Sequence, residues 1–266
     1  MHFNWNFSAP QVLWTLNFAA ELVLLVVLLG RDRVRRYPWF TASIGLFTLR
    51  LLAEELLAKR TAPLLYQEII LALGDVAVII GFLVLVEVAR RAFAGAKSSM
   101  WIVNTAGVLL VAGGIVAELG QWPALKDLDW ATTPGKLRLM QLVALKGEML
   151  VSILAIELGL LVVLFGRHFK AGWRSHAQQI VIGLSTMAIT LLTLQQVVLT
   201  IIKSAHPHTQ EEYRRVVGFI GKLSNATTLL YVAVLLCWIV WLWLDEPGTM
   251  EALAAGTAEE PQITGE

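Results

Sequence analysis

The stretch Arg50-Leu-Leu-Ala-Glu54-Glu55 decides how the chain can fold, because it places three ionisable side chains inside an otherwise apolar segment. The surrounding residues, 38–58, are long and apolar enough to predict a membrane-spanning helix. A charged group in hydrocarbon costs from about 3 to more than about 10 kcal/mol unless it finds a partner or water. We therefore expect other helices to supply polar groups at the same depth.

Composition places the whole chain in the membrane class. Of its 266 residues, 57% are hydrophobic and 15% are charged, and the mean hydropathy is +0.67. Soluble domains average about 25% charged residues, so the low charge content indicates a membrane protein. The net charge of +1 argues against nucleic-acid binding, which requires a strongly basic face. The single cysteine, Cys237, lies in an apolar run and provides neither a disulfide framework nor a metal-thiolate motif.

Seven apolar segments predict an all-α, polytopic membrane protein with a seven-transmembrane-helix bundle in residues 1–244. The first segment follows Ser8, which is suited to cap a helix, and it begins at Pro10. The expected helices cover residues 10–30, 38–58, 65–89, 100–120, 137–166, 177–203 and 216–244. The remaining residues, 245–266, contain no Lys, Arg or aromatic residue and predict a disordered acidic C-terminal tail.

Basic residues set the expected orientation of the bundle. The connection between the first two helices carries Arg31, Arg33, Arg35 and Arg36. A short, strongly basic loop after the first helix is typical of the cytoplasmic side of a membrane protein. We therefore expect the N-terminus outside and the C-terminus in the cytoplasm, in a multi-pass protein of the cell membrane (the inner membrane in a bacterium).

A layer of polar residues is expected in the outer half of the membrane. At about 1.5 Å of rise per residue, Arg50 lies about 12 Å from the outer end of its helix and Asp75 about 15 Å from the start of the next. Because these two helices are antiparallel neighbours, an ion pair between Arg50 and Asp75 is the first contact that we predict. Glu54 lies four residues after Arg50, on the same helix face, and can join the pair. The inner half is expected to be nearly bare, apart from Glu87, Asn104 and Glu157.

The residues expected to bind a ligand are Arg50, Glu54, Asp75, Lys146, Glu148, Gln195, Lys222 and Glu21. Carboxylates outnumber cations in the polar layer, and an excess carboxylate must be protonated, bind a cation or face water. The first interpretation is a small-ligand or ion-binding sensor or receptor, in which Arg50 and Lys146 contact an anionic group of the ligand. The alternative is a secondary transporter, or a proton or cation pathway, that uses the same carboxylates.

Motifs for catalysis and for cofactor binding are missing from the sequence. It contains no Ser-His-Asp or Cys-His set, no phosphate-cradling loop and no metal-ligand cluster. All five histidines lie in predicted loops or termini, which leaves no axial ligand for a haem. We therefore expect no catalytic residue, metal or cofactor, and the sequence argues against an enzyme. The expected partners are the lipid bilayer, a small-molecule or ion ligand, and a cytoplasmic signalling partner or a second copy of the chain, but no nucleic acid.

Overall fold

A computed structural model describes residues 8–58, 60–93, 111, 115, 132–165, 175–205 and 209–245. Its helices are α1 (Ala9–Gly30), α2 (Arg33–Arg36), α3 (Pro38–Leu57), α4 (Pro63–Ala92), α5 (Thr133–Phe165), α6 (His176–Ser204) and α7 (Gln210–Trp243). The predicted all-α class is confirmed. The predicted helix over residues 100–120 lies outside the described residues except for 111 and 115, and so does the predicted tail except for Asp245.

Five of the described helices are long and apolar enough to cross a membrane, which suggests a membrane-embedded protein. They are α1, α4, α5 as far as Leu164, α6 and α7. The 20-residue helix α3 differs from them because its second half carries Arg50, Glu54 and Glu55. The predicted count of seven spans therefore stays a prediction.

The start of α7 lies six residues before the predicted start at Val216, because a capping box stabilises it. The hydroxyl group of Thr209 accepts a hydrogen bond from the backbone N–H of Glu212 at 3.2 Å. In return, the carboxylate of Glu212 accepts the backbone N–H of Thr209 at 3.4 Å. These two bonds satisfy N–H groups that have no partner inside the helix. Lys222 consequently lies about 18 Å along α7, instead of the 9 Å or so implied by the predicted start.

The six long helices in the described part of the chain form a closed ring in the order α1, α3, α4, α5, α6 and α7. Each helix contacts the next one in this order, α7 contacts α1, and α4 also contacts α6 across the ring. Long helices that follow one another in the sequence run antiparallel, except for α4 and α5. Gly74 lies against Ala144 near the start of their contact. Gly81, seven residues later in α4, lies against Val151, seven residues later in α5, so the two helices run in the same direction. The last residues of α4 and the first residues of α5 therefore lie on opposite sides of the bundle.

Helices α1 and α7 also run in the same direction. Glu21 of α1 contacts Tyr231 of α7, and Arg33, just after α1, contacts Asp245, just after α7. The described chain therefore begins at one end of the bundle and finishes at the other. This agrees with termini on opposite sides of a membrane, and which end faces the cytoplasm stays a prediction.

Buried side chains concentrate in one half of the bundle, where α1, α4, α5 and α7 end and where α3 and α6 begin. We call this the arginine end, since it carries Arg31, Arg33, Arg35, Arg36, Arg90 and Arg91. Fully buried residues from five helices meet there: Leu24, Phe40, Val88, Ile180 and Leu235. In the opposite half, large apolar residues such as Leu64 and Val197 are exposed.

A glycine sets the distance between α6 and α7 in the buried half. A Cβ atom on Gly183 would lie 2.5–2.6 Å from atoms of the Trp238 indole ring. The ring is held in place because its N–H donates to the backbone carbonyl of Gln179 at 3.0 Å. The helices could therefore accept a larger residue only by moving apart.

We expect Gly183→Ala to lower the free energy of unfolding by about 1–3 kcal/mol, because the added methyl group overpacks a filled interface. The measurement is the thermal unfolding midpoint of the detergent-solubilised protein. Gly45→Ala is the control, since nothing lies within 4 Å of the added Cβ atom at that position. Equal midpoints for the two variants would show that the contact with Trp238 does not limit packing.

Candidate functional site

The eight predicted ligand-binding residues differ widely in their exposure. Glu21 and Lys146 are buried, at 1% and 9% exposure. Four others are half-buried, namely Arg50, Glu54, Asp75 and Gln195, whereas Glu148 and Lys222 are exposed. The structure therefore does not gather the predicted polar layer into one buried cluster, and the buried members are the ones that can define a site.

The predicted ion pair between Arg50 and Asp75 is wrong. Arg50 Nε lies 3.0 Å from Glu54 Oε1, and both side chains are more than a third exposed. A partner one turn away on the same helix is already close, so Arg50 reaches it without crossing to α4. Within the described residues, Asp75 forms no ion pair, and its Oδ1 atom is buried without a hydrogen-bond partner.

The best-defined polar site lies between α1, α3 and α7. Glu21 is near the middle of α1, and its Oε1 atom accepts a hydrogen bond from the hydroxyl group of Tyr231 at 3.2 Å. The hydroxyl group of Thr48 in α3 lies beside the same carboxylate, while donating to the carbonyl of Ile44 at 2.9 Å. Three helices that are distant in the sequence thus converge on one carboxylate.

Two oxygen atoms of this site are buried without a hydrogen-bond partner among the described residues. They are Oε2 of Glu21 and Oδ1 of Asn17, which lies one helical turn earlier and is 8% exposed. Residues four apart share a helix face, so both oxygens face the same region. Because buried polar atoms are nearly always paired, two such acceptors indicate a site for a donor or a cation. We call Asn17, Glu21, Thr48 and Tyr231 the Glu21 site.

The two unpartnered atoms of the Glu21 site and the hydroxyl groups beside them are oxygens. Carboxylate, amide carbonyl and hydroxyl oxygens are the ligands that hard cations prefer in proteins. Among the described residues, no group of three or more His, Cys, Asp or Glu side chains is placed to hold a metal ion. A single carboxylate carries one negative charge, so a proton or a monovalent cation would neutralise the site, whereas a divalent cation would leave an excess positive charge.

Glu87 caps the start of α3. From the sequence, it was expected to be one of the few polar residues in the inner half of the membrane. Its Oε2 atom accepts the backbone N–H of Phe40 at 3.0 Å. The N–H groups in the first turn of a helix have no partner within that helix, and Pro38 contributes none. A carboxylate from α4 therefore satisfies the start of a neighbouring helix, a role that sequence patterns do not reveal because the two residues are 47 positions apart.

The end of α7 is held by two basic side chains from other parts of the chain. Arg33 Nη2 lies 3.3 Å from the carbonyl oxygen of Leu244 and 3.2 Å from Asp245 Oδ1. Nε2 of His176 lies 3.0 Å from the same carbonyl of Leu244. The prediction that every histidine lies in a loop or terminus is wrong for His176, which is the first residue of α6 and is 1% exposed. These bonds satisfy a helix end that has no internal partners.

The fold is an all-helical bundle whose five long apolar helices suggest a membrane-embedded protein, and a carboxylate is buried between three of its helices. Comparison with known proteins gave no match to a protein-family model, a curated protein or a solved structure.

We expect Tyr231→Phe to lower the free energy of unfolding by about 1–3 kcal/mol, because it leaves a buried oxygen of Glu21 without its donor. The thermal unfolding midpoint in detergent measures the loss. Tyr213→Phe is the control, because Tyr213 lies on the same helix but is 59% exposed. If both substitutions shift the midpoint equally, the bond between Tyr231 and Glu21 contributes nothing to stability.

Proposed function

We propose that the chain is an integral membrane protein that binds a proton or a monovalent cation at the Glu21 site, as part of a proton or cation pathway. The observation that carries this proposal is the buried carboxylate of Glu21, which has a partnerless oxygen beside that of Asn17. From the sequence, a ligand sensor was the first interpretation and an ion pathway the alternative. We now place the ion pathway first, because the best-defined site contains a carboxylate and no cation.

The charge of Glu21 supports the proposal. The side chain is 1% exposed, and among the described residues no cation contacts it. A carboxylate in such surroundings costs several kcal/mol unless a proton or a cation neutralises it. Reversible loading of a group of this kind is the chemical step on which proton and cation transport depends.

Further acidic groups at other depths also support a pathway. Oδ1 of Asp75 and Oε2 of Glu157 are buried without hydrogen-bond partners in the described part of the chain. Measured along their helices from the arginine end, Glu157 and Glu21 lie about 12 and 14 Å away, and Asp75 lies about 26 Å away. Acidic groups spread over more than one depth suit the stepwise movement of a cation, whereas a ligand receptor needs only one depth.

The proposed topology has seven spans, with the arginine end in the cytoplasm and the N-terminus outside. Helices α4 and α5 run in the same direction. The chain must therefore return across the membrane between them, which supports one further span between α4 and α5. The four arginines in the short connection after α1 support the cytoplasmic placement, because a basic first loop usually sets the orientation of the whole protein.

A small-ligand sensor acting through a partner protein or a second copy of the chain is the second candidate. The observation in its favour is Lys146, a cation that is only 9% exposed in α5. Buried cations recognise anionic groups of ligands. Its weakness is that both cations predicted to recognise such a ligand already have contacts, since Arg50 is paired with Glu54 and Lys146 is also engaged.

The test is ion flux into proteoliposomes that contain the purified protein, with an internal dye that reports protons and a second one that reports Na⁺ or K⁺. We expect the wild-type protein to conduct one of these ions and Glu21→Gln to abolish the flux, because the amide cannot carry a negative charge. Glu55→Gln is the control, since it removes an exposed carboxylate near the end of α3 and should leave the flux unchanged.

Wild-type flux in Glu21→Gln would contradict the pathway. The amide has nearly the same shape and can still accept the bond from Tyr231, so both proteins should melt at comparable temperatures. A wild-type protein without flux, whose melting temperature rises with one ion only when Glu21 is present, would instead support an ion sensor.

A further inference from the structure

We propose that the ion bound at the Glu21 site is a proton, which Glu21 carries on Oε2 and donates in a hydrogen bond to Oδ1 of Asn17. This inference rests on the proposed function, because it takes Glu21 as the group that is loaded. It adds which ion is loaded and which residue accepts the hydrogen bond of the loaded form.

The two oxygens without partners are placed to share one proton. Oε2 of Glu21 and Oδ1 of Asn17 are both buried without a hydrogen-bond partner among the described residues. Side chains of a helix lean toward its N-terminus, so the side chain of Glu21 extends over the turn that carries Asn17. While Glu21 is charged, both oxygens can only accept hydrogen bonds. Protonation forms one O–H bond at Oε2, removes the negative charge, and lets a single hydrogen bond satisfy both atoms.

The other oxygen of the carboxyl group already has its partner, which leaves Oε2 for the proton. Oε1 accepts the hydroxyl group of Tyr231 at 3.2 Å. The carbonyl oxygen of a carboxylic acid also accepts hydrogen bonds, so this contact persists when Oε2 is protonated. A charged carboxylate would accept the same bond more strongly. Loading of Glu21 therefore weakens the link between α1 and α7 without breaking it.

In the described part of the chain, no charged side chain contacts the carboxyl group of Glu21. Helix α1 packs against α3 and α7, and it also contacts the short helix α2 at the arginine end. From α3, the carboxyl group meets the hydroxyl group of Thr48, which does not titrate in this range and donates to the carbonyl of Ile44. From α7, it meets Tyr231, which is titratable and donates to it. With no cation beside it, the charge of Glu21 has to be removed by the ion that it binds.

The lack of space at the two oxygens favours a proton over a metal cation. Neither Oε2 of Glu21 nor Oδ1 of Asn17 adjoins a water-sized space. Na⁺ or K⁺ would have to exchange its hydration water for several oxygen ligands arranged around it, which requires a cavity. A proton requires no cavity, because it becomes part of the O–H bond.

The experiment is infrared difference spectroscopy of the full-length protein in proteoliposomes at neutral pH. A protonated carboxyl group has a C=O stretching band that a carboxylate lacks. We expect the wild-type protein to show such a band and Glu21→Gln to lose it. Glu55→Gln, which changes an exposed carboxylate, is the control and should keep the band. Addition of Na⁺ or K⁺ in place of a large organic cation should leave the band unchanged.

Asn17→Leu tests the acceptor. The substitution removes Oδ1 at a similar side-chain volume, so the acid proton loses its acceptor and the C=O band of Glu21 should shift to higher frequency. Asn225→Leu is the matched control, because it removes a half-buried asparagine of α7 outside the Glu21 site and should leave the band in place. If Asn17→Leu does not fold, Asn17→Val makes the same comparison.

Three outcomes would overturn the proposal. Identical spectra of the wild-type protein and Glu21→Gln in the region of this band would show that Glu21 is charged, with the amide group of Asn17 turned to donate to it. Loss of the band on addition of Na⁺ or K⁺ would assign the site to a metal cation and leave the proposed cation pathway standing. An unmoved band in folded Asn17→Leu would remove Asn17 from the site. The expected spectra in a protein without ion flux would support this inference and contradict the pathway.

Discussion

The cost of an unpartnered charge or polar group in hydrocarbon is the constraint on which the rest of the structure depends. Several charged side chains avoid this cost by binding nearby groups of the chain. Arg50 pairs with Glu54 one turn away on its own helix. Glu87 satisfies the start of α3, and Arg33 satisfies the end of α7. Because these charged groups are engaged in structural contacts, the buried groups that keep unsatisfied oxygens are the better candidates for binding a ligand.

Close helix packing at glycines is a second feature that stabilises the bundle. Glycines let α5 and α6 approach their neighbours closely, with Gly147 against Val78 and Gly183 against Trp238. In a membrane, where lipid is as apolar as leucine, close contact between small residues is a main source of helix association. The tight contact at Trp238 belongs to the arginine end, where most of the buried side chains lie. The Glu21 site lies at the inner border of this half of the bundle.

Hydropathy predicted the all-helical class and the membrane-embedded character, because both depend on composition and length alone. It did not predict partners, because depth along a helix does not fix the direction in which a side chain points. Arg50 and Asp75 have similar depths and yet do not pair. Glu21 was selected by depth, but Tyr231 and Thr48 were not, since their contact with it follows from the order of helices in the ring. The early start of α7 could have been predicted from the sequence, because Thr209 and Glu212 have the spacing of a capping box.

The position of the Glu21 site also determines how the loading of Glu21 could act on the bundle. The site joins the first helix to the last, and Tyr231 links the carboxylate to α7 directly. The end of α7 is fixed by Arg33 and His176, so a change in the bond at Tyr231 cannot easily displace that end. The residues of α7 before Tyr231 are mostly exposed, and fewer contacts oppose their movement. In the proposed function, neutralising Glu21 therefore acts first on the half of α7 that leads to the opposite end of the bundle, where a pathway would have to open.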